Sequence, residues 1–271
     1  MPVVKAIIFD LDDTLLDDKR SIQEAMRATC EQAAEKYDIN PEALEAKVRD
    51  IARERYKAYE TYAFAKKIGI NPFEGLWGTF DDPFEEFQTL HHIAPEYQFQ
   101  VWTKALQSIG IKDEEFAREL AKAFPEHRKN VPFVYADTYA VLEALKANYE
   151  LYMLTNGAPS LQRTKLALSP QLEQYVTRVF ISGDFGIGKP DPSIFTYVLE
   201  SIGITSDDAI MVGDNLNTDI LGANRVGMRN VWINRNGLEA TDILPTYEIK
   251  NLTELIPLMD SISKGKARAD V

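Results

Sequence analysis

The chain is short of cysteine, of histidine and of positive charge, and each shortage removes a class of protein. Its 271 residues include one cysteine, Cys30. No intrachain disulfide can form, which excludes a stapled scaffold and agrees with a reducing compartment. Of the three histidines, His91 and His92 are adjacent and point to different sides of a helix, so they make a poor metal pair. His127 is isolated, and all three read as structural or solvated. Lys and Arg number 30 against 42 Asp and Glu, a net charge of −12. Such a surface has no field to attract nucleic-acid backbones or anionic membranes. No apolar stretch approaches the ~20 residues that span a bilayer. The opening MPVVKAIIFDLDDTLL breaks on acids too early for a signal peptide. There is no internal repeat and no low-complexity segment. The expectation is a cytoplasmic protein with no nucleic-acid or membrane partner, in which a small anionic substrate must find a metal or locally positive groups.

What is present is ordinary globular material, 45% apolar and 27% charged, enough for one large domain or two modest ones. Residues 3–9 (VVKAIIF) form a nearly continuous apolar β-rich run, the pattern of a strand buried on both faces. Similar runs return at 151–154, 179–181, 209–212 and 230–233. Helical spacing lies between them near 138–148, 159–168, 192–202 and 218–226. Strand alternating with helix implies an α/β fold with a parallel sheet, whose ligands bind beyond the carboxyl ends of the strands. Residues 17–130 read differently. Helical spacing covers 21–37, 41–68, 97–108 and 113–124, and Asn40-Pro41 is a plausible helix start. The stretch 71–84 (NPFEGLWGTFDDPF) reads as irregular turns. This segment is too long and too helical for a connection within a sheet. The expected organisation is a core of residues 1–16 and 131–271, with 17–130 inserted as a mostly α-helical second domain. The tail at 264–271 is expected to fray.

Chemistry-bearing residues gather at the strand ends. The first strand runs into Asp10-Leu11-Asp12-Asp13-Thr14. Asp10 and Asp12 are two apart and point the same way in an extended chain. Two carboxylates with distinct roles suit covalent phosphoryl transfer, one attacking phosphorus and the other moving the proton. An acidic turn or helix cap without chemistry is the plain alternative. The strand at 151–154 ends on Thr155-Asn156-Gly157, whose hydroxyl, amide and backbone N–H groups suit phosphate oxygens; by itself this is equally a turn before a helix. Gly188-Lys189-Pro190-Asp191-Pro192 follows 179–181, where Lys189 offers a fixed positive charge or simply a surface lysine. The strand at 209–212 ends on Gly213-Asp214-Asn215, with Asp219 five residues after Asp214. Carboxylates there suit Mg²⁺, although Asp219 also fits the first turn of a helix. Four such signals in order, on one sheet edge, are far more specific than any one.

The set DLDDTL, LTNG, GKPDP and GDNLNTD resembles the four motifs of the haloacid dehalogenase-like (HAD) hydrolase superfamily, over residues 1–16 and about 131–235. The resemblance implies a Rossmann-like core, a helical cap over 17–130 and a Mg²⁺-dependent aspartyl-phosphate mechanism acting on a small phosphorylated metabolite. It makes Asp10 the nucleophile and a metal ligand. Asp12 becomes the acid/base, also ligating metal through its backbone carbonyl. Thr155 and Asn156 bind phosphate, Lys189 balances charge, Asp214 ligates metal, and Asp219, with Asn215 beside Asp214, supports that site. One departure is Asp13, where many members have glycine.

Other readings are weaker. GDFGIGK at 183–189 mimics a nucleotide phosphate loop, but Pro190 follows, with neither hydroxyl nor N–H. Arg49, Arg53 and Lys57 share a helical face with Asp50 and Glu54 intervening, a solvated face. Tyr56, Tyr59, Tyr62, Phe64, Trp77 and Phe80 read as core, some of them lining the inner wall of the cap. Asp12 and Asp214 argue against dehalogenation, which needs neither that acid nor a metal. A phosphomutase shares the whole site, and a non-catalytic phosphate-binding protein would need a degenerate one. Among phosphatases the motif forms are similar to branches acting on phosphoserine, nucleoside monophosphates and sugar phosphates, with phosphoserine somewhat the nearest.

Overall fold

A computed structural model describes residues 4–240 and 242–263. The tail expected to fray, 264–271, and residue 3 of the first apolar run lie outside the described residues. The chain divides into two compact units. One comprises Met1–Asp17, Val134–Asn156 and Ser169–Val271, taken over its described residues; the other comprises Asp18–Phe133 and Gly157–Leu168.

The first unit is an α/β layer built on a six-stranded parallel sheet, as the alternating pattern predicts. The strands are β1 (Ala6–Phe9), β2 (Glu150–Thr155), β3 (Arg178–Ile181), β4 (Ala209–Gly213), β5 (Arg229–Ile233) and β6 (Tyr247–Ile249), in the order β3-β2-β1-β4-β5-β6. β1 is fully buried because helices cover both faces of such a sheet. The chain winds outward from β1 to β2 and β3 on one side, then from β4 to β6 on the other. The reversal falls between β1 and β4, the place where such sheets open a crevice. Phe9 pairs with Met153 and Val212, so the residues just past Phe9, Thr155 and Gly213 emerge side by side. β6 and the helix Leu255–Ser263 escape the sequence reading, since three strand residues are too few for a periodic signal.

The second unit is helical. It comprises Asp18–Lys36, Pro41–Ala58, Tyr62–Ile68, Pro72–Gly75, Glu85–Ser108, Glu114–Lys129 and Pro159–Ala167. Asn40 caps the second of these, accepting from Ala43 N at 2.6 Å, with Pro41 in its first turn, as the sequence predicts. Three expectations change. Residues 41–68 are two helices, because Tyr59 turns extended (ψ 146°) and lays its ring against Tyr97. The helix expected over 97–108 begins at Glu85 and runs through Pro95. Phe87, Leu90, Ala94, Tyr97 and Val101 keep one buried stripe across the proline, and that burial outweighs the lost hydrogen bond. Residues 157–168, read from the sequence as part of the core, pack with the helices: Ala158 and Leu161 join their apolar core, Ser160 bonds Asp82 twice at 2.7 Å, and Lys165 meets Glu74 at 2.9 Å. No helix among the described residues is long and apolar enough to cross a membrane.

Candidate active site

Strand geometry delivers the site residues to one edge of the sheet. Asp10 continues the β1 ladder, its N–H donating to Val212 O at 2.9 Å, and its carboxylate lies just beyond the strand. Asp13 then takes φ 61°, the left-handed conformation that glycine adopts freely and Asp tolerates. This explains both the turn and the glycine preference at that position. The turn returns Thr14 beneath Asp10. The Thr14 hydroxyl, fully buried, donates to Asp10 Oδ2 at 3.2 Å and accepts from Asp214 N at 3.1 Å. It ties the end of β1 to the end of β4. The sequence reading gave Thr14 no role; its only signal was its place in DLDDT.

Lys189 is the hub. Its ammonium is 2% exposed and donates to Asp10 Oδ1 at 2.6 Å and Leu154 O at 2.8 Å, with Asp219 Oδ1 at 2.7 Å. Two of its three donors thus have hydrogen-bond acceptors, and Asp219 adds a close ion pair. Burial alone would lower the lysine pKa, but Asp10 and Asp219 outweigh it and hold it above the usual lysine range. Lys189 is therefore a permanent cation. Asp219, itself buried, has its other oxygen on Asn215 N at 3.1 Å. A side chain at Gly213 would collide with the Asp219 carboxylate, so β4 must end on glycine for that acid to fit.

Asn156 clamps the lysine loop. Its Oδ1 accepts from Lys189 N at 2.8 Å and its Nδ2 donates to Lys189 O at 2.9 Å. A Cβ at Gly188 would come within 2.6 Å of that Oδ1. The Asn156 side chain thus holds Lys189 in place, a task distinct from the phosphate contact that the sequence suggests for it. Thr155 is buried at the end of β2, and its hydroxyl makes a long 3.4 Å contact to Asn156 O, weak by hydrogen-bond standards. Asn215 is exposed and caps the following turn, accepting from Asn217 N at 2.9 Å.

Carboxylate oxygens of Asp10, Asp214 and Asp219 lie within 4.8 Å of one another, a group that could hold a cation. All three donors are hard oxygens, which suit Mg²⁺. Three carboxylates gathered around one ammonium make a setting that suits a divalent cation. Asp219 is bound by Lys189 and Asn215 N, and Asp10 by Lys189 and the Thr14 hydroxyl, so both are fixed within the cluster. The Asp12 side chain is outside this group, and the sequence reading invoked only its backbone carbonyl.

Comparison with known proteins agrees with this geometry. Residues 4–227 match the haloacid dehalogenase-like hydrolase family, and the chain belongs to it. A phosphoserine phosphatase of Thermus thermophilus is 37% identical over 255 residues, 93% of this chain and 98% of its own. The human N-acylneuraminate-9-phosphatase is 27% identical over 264 residues, 96% and 95% of the two chains. In fold, the chain is similar to the HAD hydrolase YfnB of Bacillus subtilis, with a TM-score of 0.66 at 22% identity over 95% of this chain and 99% of that one. The chain is accordingly an enzyme of the phosphatase branch, a phosphoric monoester hydrolase.

Proposed function

We propose that this enzyme is a Mg²⁺-dependent phosphatase of small phosphomonoesters that works through an aspartyl-phosphate on Asp10, with O-phosphoserine as the first candidate substrate. The observation that carries the reading is the clamp on Asp10, one carboxylate oxygen on Lys189 and the other on the Thr14 hydroxyl. A carboxylate fixed at both oxygens beside a permanent cation is oriented for attack and stabilised as charge builds on phosphorus.

In the first step an Asp10 oxygen forms a bond to phosphorus, the ester P–O bond breaks, and Asp12 gives its proton to the departing alkoxide. In the second step Asp12 takes a proton from water, and the hydroxide so formed attacks the acyl phosphate. Inorganic phosphate leaves and Asp10 is restored. Thr155 and the backbone at Asn156 would bind phosphate oxygens, and Lys189 would share their charge. Asp10 and Asp214, with the Asp12 carbonyl, would hold Mg²⁺, which supplies charge neutralisation at the phosphoryl group.

We take the helical unit as the family's cap and the source of substrate choice, and the cytoplasm as the site of action, in keeping with the lone buried Cys30. Phosphoserine is favoured by the 37% relative, whose printed activity it is. The test is phosphate release from phosphoserine, nucleoside monophosphates and sugar phosphates, with Mg²⁺, with chelator, and with Asp10→Asn. Release that needs Mg²⁺ and vanishes in the variant is expected. Turnover by Asp10→Asn at the wild-type rate would sink the mechanism.

A further inference from the structure

Arg235 lies two residues beyond β5, at the same sheet edge as the site, and neither the motifs nor the mechanism above uses it. Its guanidinium grips Asp137 through two nitrogens, Nη1 to Oδ2 and Nη2 to Oδ1, each at 3.2 Å. Nη2 also reaches the backbone carbonyl of Thr14 at 3.4 Å. The Arg235 plane stacks on Tyr135, 3.8 Å from the ring centroid. Asp137 in turn accepts from Leu252 N at 2.8 Å, which anchors the pair to the body of the unit. Both side chains are largely buried, at 17% and 15% exposure, so water does little to weaken the pairing. The Arg235 Nε is buried without a hydrogen-bond partner, a cost the forked contact must offset.

The two ends of the site turn are held by different means. Asp10 is fixed by the β1 ladder, by Lys189 and by the Thr14 hydroxyl. Asp12 and Asp13 stand between that anchored residue and the Thr14 carbonyl, with Asp13 in a strained conformation. Beyond the turn, Tyr135 N and Thr138 Oγ1 both donate to Leu15 O, at 3.1 and 2.9 Å. Leu15 N and Leu16 N close the turn by donating to Leu11 O at 3.0 and 2.9 Å, and Arg235 adds a side-chain contact at the Thr14 carbonyl.

Resting on the phosphatase reading, we infer that Arg235 is a positioning residue that holds the Asp12–Thr14 turn, and with it the Asp12 acid/base, in line with the leaving oxygen. Arginine suits the role because a planar fork can serve Asp137, the Thr14 carbonyl and the Tyr135 face together, whereas a lysine cannot. A displaced general acid harms poor leaving groups most, because an alkoxide must be protonated as it departs and a nitrophenolate need not be.

The test compares Arg235→Met and Arg235→Lys with wild type on O-phosphoserine and p-nitrophenyl phosphate. For Arg235→Met, kcat/KM on phosphoserine, which reports formation of the aspartyl-phosphate, is expected to fall about 10–100-fold, as a misplaced catalytic group does, while kcat/KM on the nitrophenyl ester falls less than about 3-fold. A fall in kcat common to both esters is expected as well, because Asp12 is also the base in hydrolysis of the aspartyl-phosphate. Arg235→Lys, which keeps the charge, should lie between; should the methionine variant fail to fold, the lysine variant carries the same comparison. Equal losses of kcat/KM on both esters, or no loss on either, overturn the inference while the phosphatase reading stands. If wild type hydrolyses neither ester, that reading falls and the inference falls with it.

Discussion

At the scale of single residues, the site depends on groups that are spoken for several times over. Thr14 shows this most simply. Its hydroxyl donates to Asp10 and accepts from Asp214 N, and it is fully buried. Thr14→Val keeps the shape and loses both bonds, at a cost of about 1–3 kcal/mol. The expected outcome is a lower thermal midpoint and a kcat reduced about 10-fold or more, read by calorimetry and steady-state kinetics; wild-type values in both would show that the hydroxyl is dispensable. Cys30 is the opposite case, a residue with chemistry it cannot use. Burial pushes its thiol up to about 12. Native protein should resist a thiol reagent at pH 8 and show one reactive thiol in denaturant, and rapid labelling of the native chain would contradict that burial. The sign of its effect on stability follows. A raised folded pKa keeps the stabilisation intact below the unfolded thiol value near 8.5 and loses it as pH climbs from there towards 12.

At the scale of elements, the helix Glu114–Lys129 is capped by Asp113, which accepts from Phe116 N at 2.9 Å and from the Tyr37 hydroxyl at 2.6 Å. The Tyr37 hydroxyl first, then the Phe116 N–H and Lys36, draws the Asp113 carboxyl down to about 2. A lowered folded pKa contributes stability above the unfolded value near 3.9 and loses it as pH falls towards 2. Wild type should therefore melt higher than Asp113→Ala at pH 7, with the gap closing as the pH approaches 2; a gap independent of pH would mean that the charge plays no part. This element was only half visible beforehand. Apolar spacing announces the helix, while the cap's reach to Lys36 and Tyr37 spans more than seventy residues and leaves no local trace. The same division runs through the fold. β1 to β5 are legible because strands inside a covered sheet are largely apolar, and the motifs after β1, β2 and β4 are legible because each follows its strand at once. Arg235 and Asp137 are ordinary residues in sequence and acquire meaning only when 98 residues of chain bring them together. Pro95 is a related case, since a local rule gives way to a stripe of buried contacts that the helix makes with its neighbours.

At the scale of the whole molecule, an excess of acid meets an acidic site. The chain carries −12, and the Asp10, Asp214 and Asp219 carboxylates face a single ammonium. Folding gathers these charges and burial removes the water that would screen them, so their mutual repulsion works against the fold. A divalent cation binds the gathered carboxylates of the folded chain far better than the dispersed ones of the unfolded chain, and mass action turns that preference into stability. At a free concentration ten times Kd the gain is about 1.4 kcal/mol. Two opposite effects then follow for Asp214→Asn. Without metal the variant should melt no lower than wild type, because one of the repelling charges is gone. With Mg²⁺ the wild type should rise by several degrees and the variant should hardly move, because a ligand is gone. Melting curves of both proteins in chelator and in a Mg²⁺ series measure this without any substrate. A variant that melts well below wild type in chelator would show that Asp214 serves the fold rather than the ion, and an equal Mg²⁺ response in both would move the cation site away from the ends of β1 and β4.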